Sequence, residues 1–335
     1  MMRENTGRIR FIFFMLVLLV IAGFIVNICV GSVHISLTEL RGAFSDTGDE
    51  KIRNIIMNIR LPRTIMTFTL GGALAVAGFL LQTYFANPIA GPYILGISSG
   101  AKMTVAIVLI FIVVSTGNSS ALLLVLAAFA GALISTFFII IISSRITNMA
   151  ALLAAGIMIG YIASAITDFL ITFADDADIV NLHGWSQGSF SGSDMNGALW
   201  SVGIVSIAFF IVMLLSKDLD ALRLGETYAE SVGVNIRVCR VLIIVLSSLL
   251  SATVTAFAGP VSFIGIAVPF LMREALESSK PIILIPASFL SGAVFCMFSD
   301  LIARTVFAPV EVNISAVTSL FGAPIVIFMI AGRRR

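Results

Sequence analysis

Arg60, Arg63 and Arg304, with the acids Asp168 and Asp300, are the residues whose type and position ask for a chemical reason. Each lies at or near the end of a long apolar run. Charge there is costly unless it is paired, faces a water-filled cavity or does work. Asp300 and Arg304 are four apart, the spacing of a helical ion pair, which reads as structural. Asp168 has no basic neighbour at helical spacing and is the one candidate for ion coupling. Arg60 and Arg63, a helical turn apart, have two readings. They snorkel to lipid headgroups, or with Arg304 they form a docking surface for acidic groups of an extracytoplasmic partner.

Other chemistry is excluded by spacing. Gly96-x-x-x-Gly100-Ala-Lys102-Met103 is one residue short of a phosphate loop, has Met in place of the terminal hydroxyl, and follows no strand. Gly96xxxGly100 and Gly156xxxGly160 instead fit close helix packing. Cys29, Cys239 and Cys296 are far apart, without metal-ligand spacing, and read as small packing residues. His34 and His183 sit in separate connections, so no metal site is expected. No Ser-His-Asp set or paired catalytic carboxylates appear, so the chain reads as no enzyme, and nothing in it points to nucleic acid.

Apolar runs must position these residues. Of 335 residues, 59% are hydrophobic and 11% charged, whereas soluble domains carry about 25% charged residues. A bilayer is crossed by roughly 20 apolar residues in a helix. Such stretches are Arg10–Val30, Pro62–Tyr84, Gly96–Val114, Ala121–Ser143, Ala150–Phe173, Gly197–Leu215, Ile236–Phe257, Pro260–Leu276, Pro281–Leu301 and Ile314–Ile330. They predict an all-helical membrane protein of about ten spans, a single polytopic domain over residues 1–335. The first run is longer than a signal-peptide core and no small-x-small site follows, so it reads as a retained span. Between the second and third spans Asn87-Pro88, Gly91-Pro92 and Gly96–Gly100 break the helix. Broken backbone at a bilayer is tolerated only beside protein or a wet cavity, and such breaks point to transport.

Placing both termini in the cytoplasm leaves Arg3, Arg8, Arg10, Arg145, Lys217, Arg223, Arg237, Arg240, Arg273, Lys280 and Arg333-Arg334-Arg335 inside. Arg41, Lys51, Arg53, Arg60, Arg63 and Arg304 fall outside. The positive-inside rule favours that layout in a cell membrane. Its longest cytoplasmic connection, Lys217–Asn235, repeats Leu222, Leu224, Tyr228, Ala229 and Val232 near helical spacing. One or two short amphipathic helices are expected there, covered by a partner protein or by the bundle itself.

Taken in order, these pieces resemble the FecCD-type permeases. They are Arg60-Leu-Pro-Arg63, Gly71–Gly78 with Gln82, Asn87-Pro88, Leu95–Ala101, Trp185 with Gly188-Ser189, and Leu224-Gly225-Glu226 with Gly233-Val234. Gly259-Pro260 with Phe263–Gly265, Val268-Pro269 with Arg273, Asp300 with Arg304, and Thr318 with Gly322–Pro324 complete the series. The resemblance implies the permease subunit of a type II ABC importer, carrying iron-siderophore or else haem or cobalamin. It implies a homo- or heterodimer with a second permease subunit and two cytoplasmic ATPase subunits that hold ATP-Mg, this chain binding no cofactor. By the same resemblance an extracytoplasmic binding protein sets its glutamates on Arg60, Arg63 and Arg304. ATPase coupling falls on Leu224, Gly225, Glu226, Ala229, Gly233 and Val234. The pathway, its gate and the helix breaks fall on Gln82, Asn87, Pro88, Gly96, Gly100, Gly259, Pro260 and Pro269. The chain departs from the family pattern at Ser262, Phe270, Asn313 and Ser315. An ion-coupled secondary transporter through Asp168 is the alternative class.

Overall fold

The computed structural model describes residues 6–31, 33, 35–44, 49–113, 120–146 and 148–332. Arg3, His34 and Arg333-Arg334-Arg335 lie outside them. The described residues are helical, with no strand among them. Helix α1 (Thr6–Cys29), α3 (Glu50–Tyr84), α5 (Ala121–Ser143) and α6 (Met149–Ile171) are long and apolar enough to cross a membrane. So are α8 (Met195–Leu214), α11 (Ile236–Ala258), α13 (Pro281–Thr305) and α14 (Ile314–Gly332). Two shorter helices, α4 (Ile97–Val113) and α12 (Ile264–Leu276), lie on the other two predicted runs, so that among the described residues eight of the roughly ten expected spans are long and apolar enough to cross a bilayer. Short helices α2 (Leu37–Phe44), α7 (Asp176–Ser186), α9 (Ser216–Arg223) and α10 (Glu226–Ser231) sit in the connections.

α3 is the axis of the bundle, with α13, α11, α8 and α12 packed on it. Its sequence explains why. Pro62 falls just after the π-helical stretch Ile56–Arg60, where the α-helical part Leu61–Tyr84 begins and its missing N–H is no loss. Gly71-Gly72-Ala73, Ala75, Ala77 and Gly78 leave a smooth surface on which backbones meet. A Cβ at Gly78 would lie 1.7 Å from the Gly265 carbonyl oxygen, so α12 rests directly on the α3 backbone. Gly71 likewise abuts the Gly292 carbonyl of α13. By contrast α1, α5, α6, α8 and α14 keep Phe11, Phe14, Leu122, Phe137, Phe169, Phe210 and Phe328 on their outer faces. Apolar residues facing outward are what a bilayer or a second subunit would cover.

Contacts fix the direction of several crossings. Arg8, near the start of α1, pairs with Glu277 after α12 at 2.5 Å. Arg240, near the start of α11, donates to the Ser143 carbonyl at the end of α5. At the other end of the bundle the last turn of α1 meets Arg60 and Arg304. α14 starts beside that arginine end and runs about 28 Å away from it. Both described ends of the chain therefore lie at the end that carries α9 and α10.

Candidate functional site

The structure gathers Arg60, Arg63 and Arg304 into one cluster and turns all three inward. Arg60 is 4% and Arg63 8% exposed. Arg60 Nη1 donates to the carbonyls of Ile28 (2.6 Å) and Cys29 (3.0 Å), and its Nη2 to that of Val33. The last carbonyls of a helix lack intrahelical partners and carry the negative end of its dipole. Arg60 is thus a C-terminal cap for α1. Arg304 Nη2 donates to the Asn27 carbonyl and to Asn27 Oδ1 at 2.7 and 2.9 Å.

Arg63 joins three segments. Its Nε and Nη2 each reach Asp300 on α13 at 3.0 Å, and its Nη1 and Nη2 reach Glu311 at 3.0 and 3.1 Å. The expected Asp300–Arg304 pair is present but longer, at 3.8 Å. Two features of the cluster lie beyond what residue spacing could show. The arginines are not guanidiniums presented at a surface, because buried cations must be compensated and these are met within the chain. The main partner of Asp300 is Arg63, 237 residues away, which helical spacing could not reveal. Glu311, the only acid between α13 and α14, was missed; its place in an otherwise apolar connection was the available signal.

The break after α3 lies toward the opposite end, beside α9 and α10. Pro269 sits inside α12 and has no N–H for the Gly265 carbonyl four residues back. Gln82 Nε2 donates instead to the Gly265 (3.3 Å) and Ile266 (3.0 Å) carbonyls. A side chain from the central helix thus satisfies backbone that proline leaves open. Asn87 Oδ1 accepts from the Ile89 N–H across Pro88, an Asx turn that ends α3. Gly96 takes a left-handed conformation and its amide face meets Gly160 of α6; a Cβ there would be 2.7 Å from the Gly160 nitrogen. Gly100 meets Gly131 of α5 in the same way. At Gly259-Pro260 the chain leaves α11 through Gly259 at φ +71°. Tyr93 Oη accepts from the Val261 N–H at 2.9 Å, and Ser315 Oγ donates to the Pro260 carbonyl at 2.5 Å. Ser315, one of the departures, is therefore a fastener for this break. Asn313 accepts from the Ala316 N–H where α14 begins.

Two short helices occupy the long connection as expected, with Gly225 and Gly233 at positive φ. Leu224, Tyr228 and Val232 are exposed, whereas Ala229 is buried against the fold. The apolar face is thus partly covered by the chain itself. Glu226 pairs with Arg240 at 3.3 Å. A cavity of about 470 Å³ opens here, lined by Gln82, Tyr84, Asn87, Leu222, Glu226 and Arg273 among others. It brings the break after α3 and the α9–α10 turn to one space.

Asp168 lies exposed on α6. Among the described residues no group of His, Cys, Asp and Glu is placed to hold a metal. Gly96–Lys102 is helix from Ile97 onward, so the phosphate-loop geometry is absent there.

A buried, small-residue axis, a proline-broken half-helix and a helical turn at one end define a multi-pass permease. The chain belongs to the FecCD transport family, which it matches over residues 18–332. It is 32% identical over 324 residues to the hemin transport system permease protein HmuU of Yersinia pestis, covering 96% of this chain and 95% of the relative. It is 30% identical over 328 residues to the vitamin B12 import system permease protein BtuC of Vibrio vulnificus, covering 98% and 95%. A solved inward-facing structure, assigned to a metal-chelate type ABC transporter, superposes with a TM-score of 0.85 at 26% identity, covering 96% of this chain and 98% of that one. The chain is a permease subunit of the type II ABC importer class.

Proposed function

We propose that this subunit conducts a metal chelate into the cell, with iron-siderophore as the leading cargo and haem or cobalamin next. In this reading the arginine end faces outward and receives a binding protein that delivers the cargo. The opposite end, with both termini, faces the cytoplasm in the cell membrane. A second permease subunit completes the pathway, and two ATPase subunits holding ATP-Mg engage Leu224–Val234. The observation that carries the reading is the shared cavity. A push on α9 and α10 is transmitted through Leu222, Arg223 and Glu226 to Gln82–Asn87, where α3 ends and α12 is held. Lipid covers the outer faces of the bundle, and a metal enters only as part of the cargo.

The test is Gly233→Pro in the assembled complex. Gly233 has φ +91°, which proline's ring forbids. The expected result is loss of the ATPase subunits on co-purification in detergent, with the permease still in the membrane. A retained, fully active complex would count against coupling at this turn. Cargo is assigned by titrating the binding protein with a ferric siderophore, haemin and cobalamin in parallel.

A further inference from the structure

We propose that Glu311 is an internal stand-in for a partner's carboxylate: it occupies the outer edge of Arg63 at rest and is displaced when a carboxylate of the docking protein takes its place. The inference rests on the reading that the arginine end receives that protein.

Arg63 holds two carboxylates of different character. Asp300 is fixed on α13, its side chain 2% exposed, and it also faces Arg304. Glu311 lies on the connection after α13, and its side chain is 43% exposed. Both its oxygens are bonded to Arg63, a two-point fork of 3.0 and 3.1 Å that any carboxylate of similar reach can reproduce. Swapping one for the other keeps the charge balance of the buried cluster. Removing Glu311 without replacement would leave that balance one negative charge short. An exchange therefore gives docking specificity without exposing an uncompensated guanidinium.

The surroundings state what the partner looks like. The segment between α13 and α14 is tied down by few backbone bonds, Val312 N–H to the Ala303 carbonyl and Val310 N–H to that of Phe307 among them. It turns Val306, Phe307 and Val310 outward, an exposed apolar rim beside Glu311. The surface that fits is a Glu or Asp side chain set within an apolar patch. Arg60 and Arg304 are committed to backbone carbonyls and Asn27, so the exchange has one address, Arg63.

The experiment uses the assembled transporter in nanodiscs and its own solute-binding protein as probe, with affinity measured by biolayer interferometry. Variants are Glu311→Gln, Glu311→Asp and Phe307→Glu, each checked for wild-type assembly. Glu311→Gln frees the Arg63 fork of competition and is expected to tighten docking roughly three- to tenfold, the range a half-exposed ion pair commands. Glu311→Asp keeps the charge and should stay near wild type. Phe307→Glu puts charge in the rim and should weaken docking. Sodium acetate, compared with sodium chloride at equal ionic strength, should weaken docking to Glu311→Gln more than to wild type. Weaker docking with Phe307→Glu but no tightening with Glu311→Gln would overturn the stand-in and leave docking at this face intact. If neither substitution alters affinity, the docking protein lands elsewhere, and the broader reading of this end falls with the proposal.

Discussion

Neutralising Asp300 is the sharpest test of how the arginine cluster is built. Asp300→Asn keeps the shape of the side chain but removes the charge that receives Arg63 Nε and Nη2 at 3.0 Å and faces Arg304 at 3.8 Å. The carboxylate is 2% exposed and the two guanidinium side chains 9% and 8%, so water screens little. At about 4 Å and an effective dielectric constant near 20, one such pair is worth about 4 kcal/mol before desolvation is counted. Removing one member of a buried pair costs about 3–5 kcal/mol. Two buried cations would be left sharing the half-exposed Glu311.

A double-mutant cycle with Arg63→Gln isolates the pair from these side effects. Each single substitution is expected to cost about 3–5 kcal/mol, and the double about 2 kcal/mol less than their sum, because the second change removes the orphan the first creates. The assay is reversible unfolding in mixed micelles with rising fractions of anionic detergent, followed by circular dichroism. Glu311→Gln serves as an internal scale and should cost only about 0–1 kcal/mol, as exposed pairs do. Strict additivity, or a cost for Asp300→Asn no larger than for Glu311→Gln, would refute the assignment of Asp300 as the fixed partner.

Two further outcomes follow from other parts of the fold. Gln82→Leu should lower stability by about 1–3 kcal/mol in the same assay, since the carbonyls beside Pro269 lose their donor; a neutral result would mean that water or a relaxed α12 serves equally well. Asp168→Asn should leave uptake in proteoliposomes essentially unchanged, as befits an exposed side chain on α6, whereas complete loss would revive ion coupling.

Much of the fold was legible because a bilayer leaves a chain little freedom. Each predicted apolar run is helical over its described residues, with ends displaced by no more than about four residues. The main exception is α3, which continues upstream to Glu50 through the π-helical stretch Ile56–Arg60. That extension is polar and carries no span-like signal. Helices outside the apolar runs were harder. α2 opens with a reciprocal cap in which Ser36 N–H and Oγ both donate to Glu39 Oε2 at 2.7 Å, and Ser36 Oγ accepts from the Glu39 N–H. Those bonds hold the Glu39 carboxyl below the usual carboxylate range. Ser-x-x-Glu is a readable start signal, as is the run Asp175, Asp176 and Asp178 at the head of α7; hydropathy alone passes over both. The packing glycines were readable as motifs, but their partners were not, because spacing says that a backbone approaches and not which one.

The arginines show where sequence reasoning stops and why. The charge rule for membrane topology marked Arg60, Arg63 and Arg304 as anomalies at the end assigned to the outside. That rule counts cations as though each met solvent or lipid. Here Arg60 meets the carbonyl end of α1, Arg304 meets Asn27, and Arg63 meets two carboxylates, one of them 248 residues away. Cations held inside the fold do not weigh in a count of loop charges as solvent-facing ones do, so these three need no separate reason in that count. Under the docking proposal the same pairing would supply selectivity, since three free guanidiniums at a membrane mouth would capture any passing anion. A single fork, held shut by a half-exposed glutamate, would instead admit only a carboxylate brought in on a complementary surface.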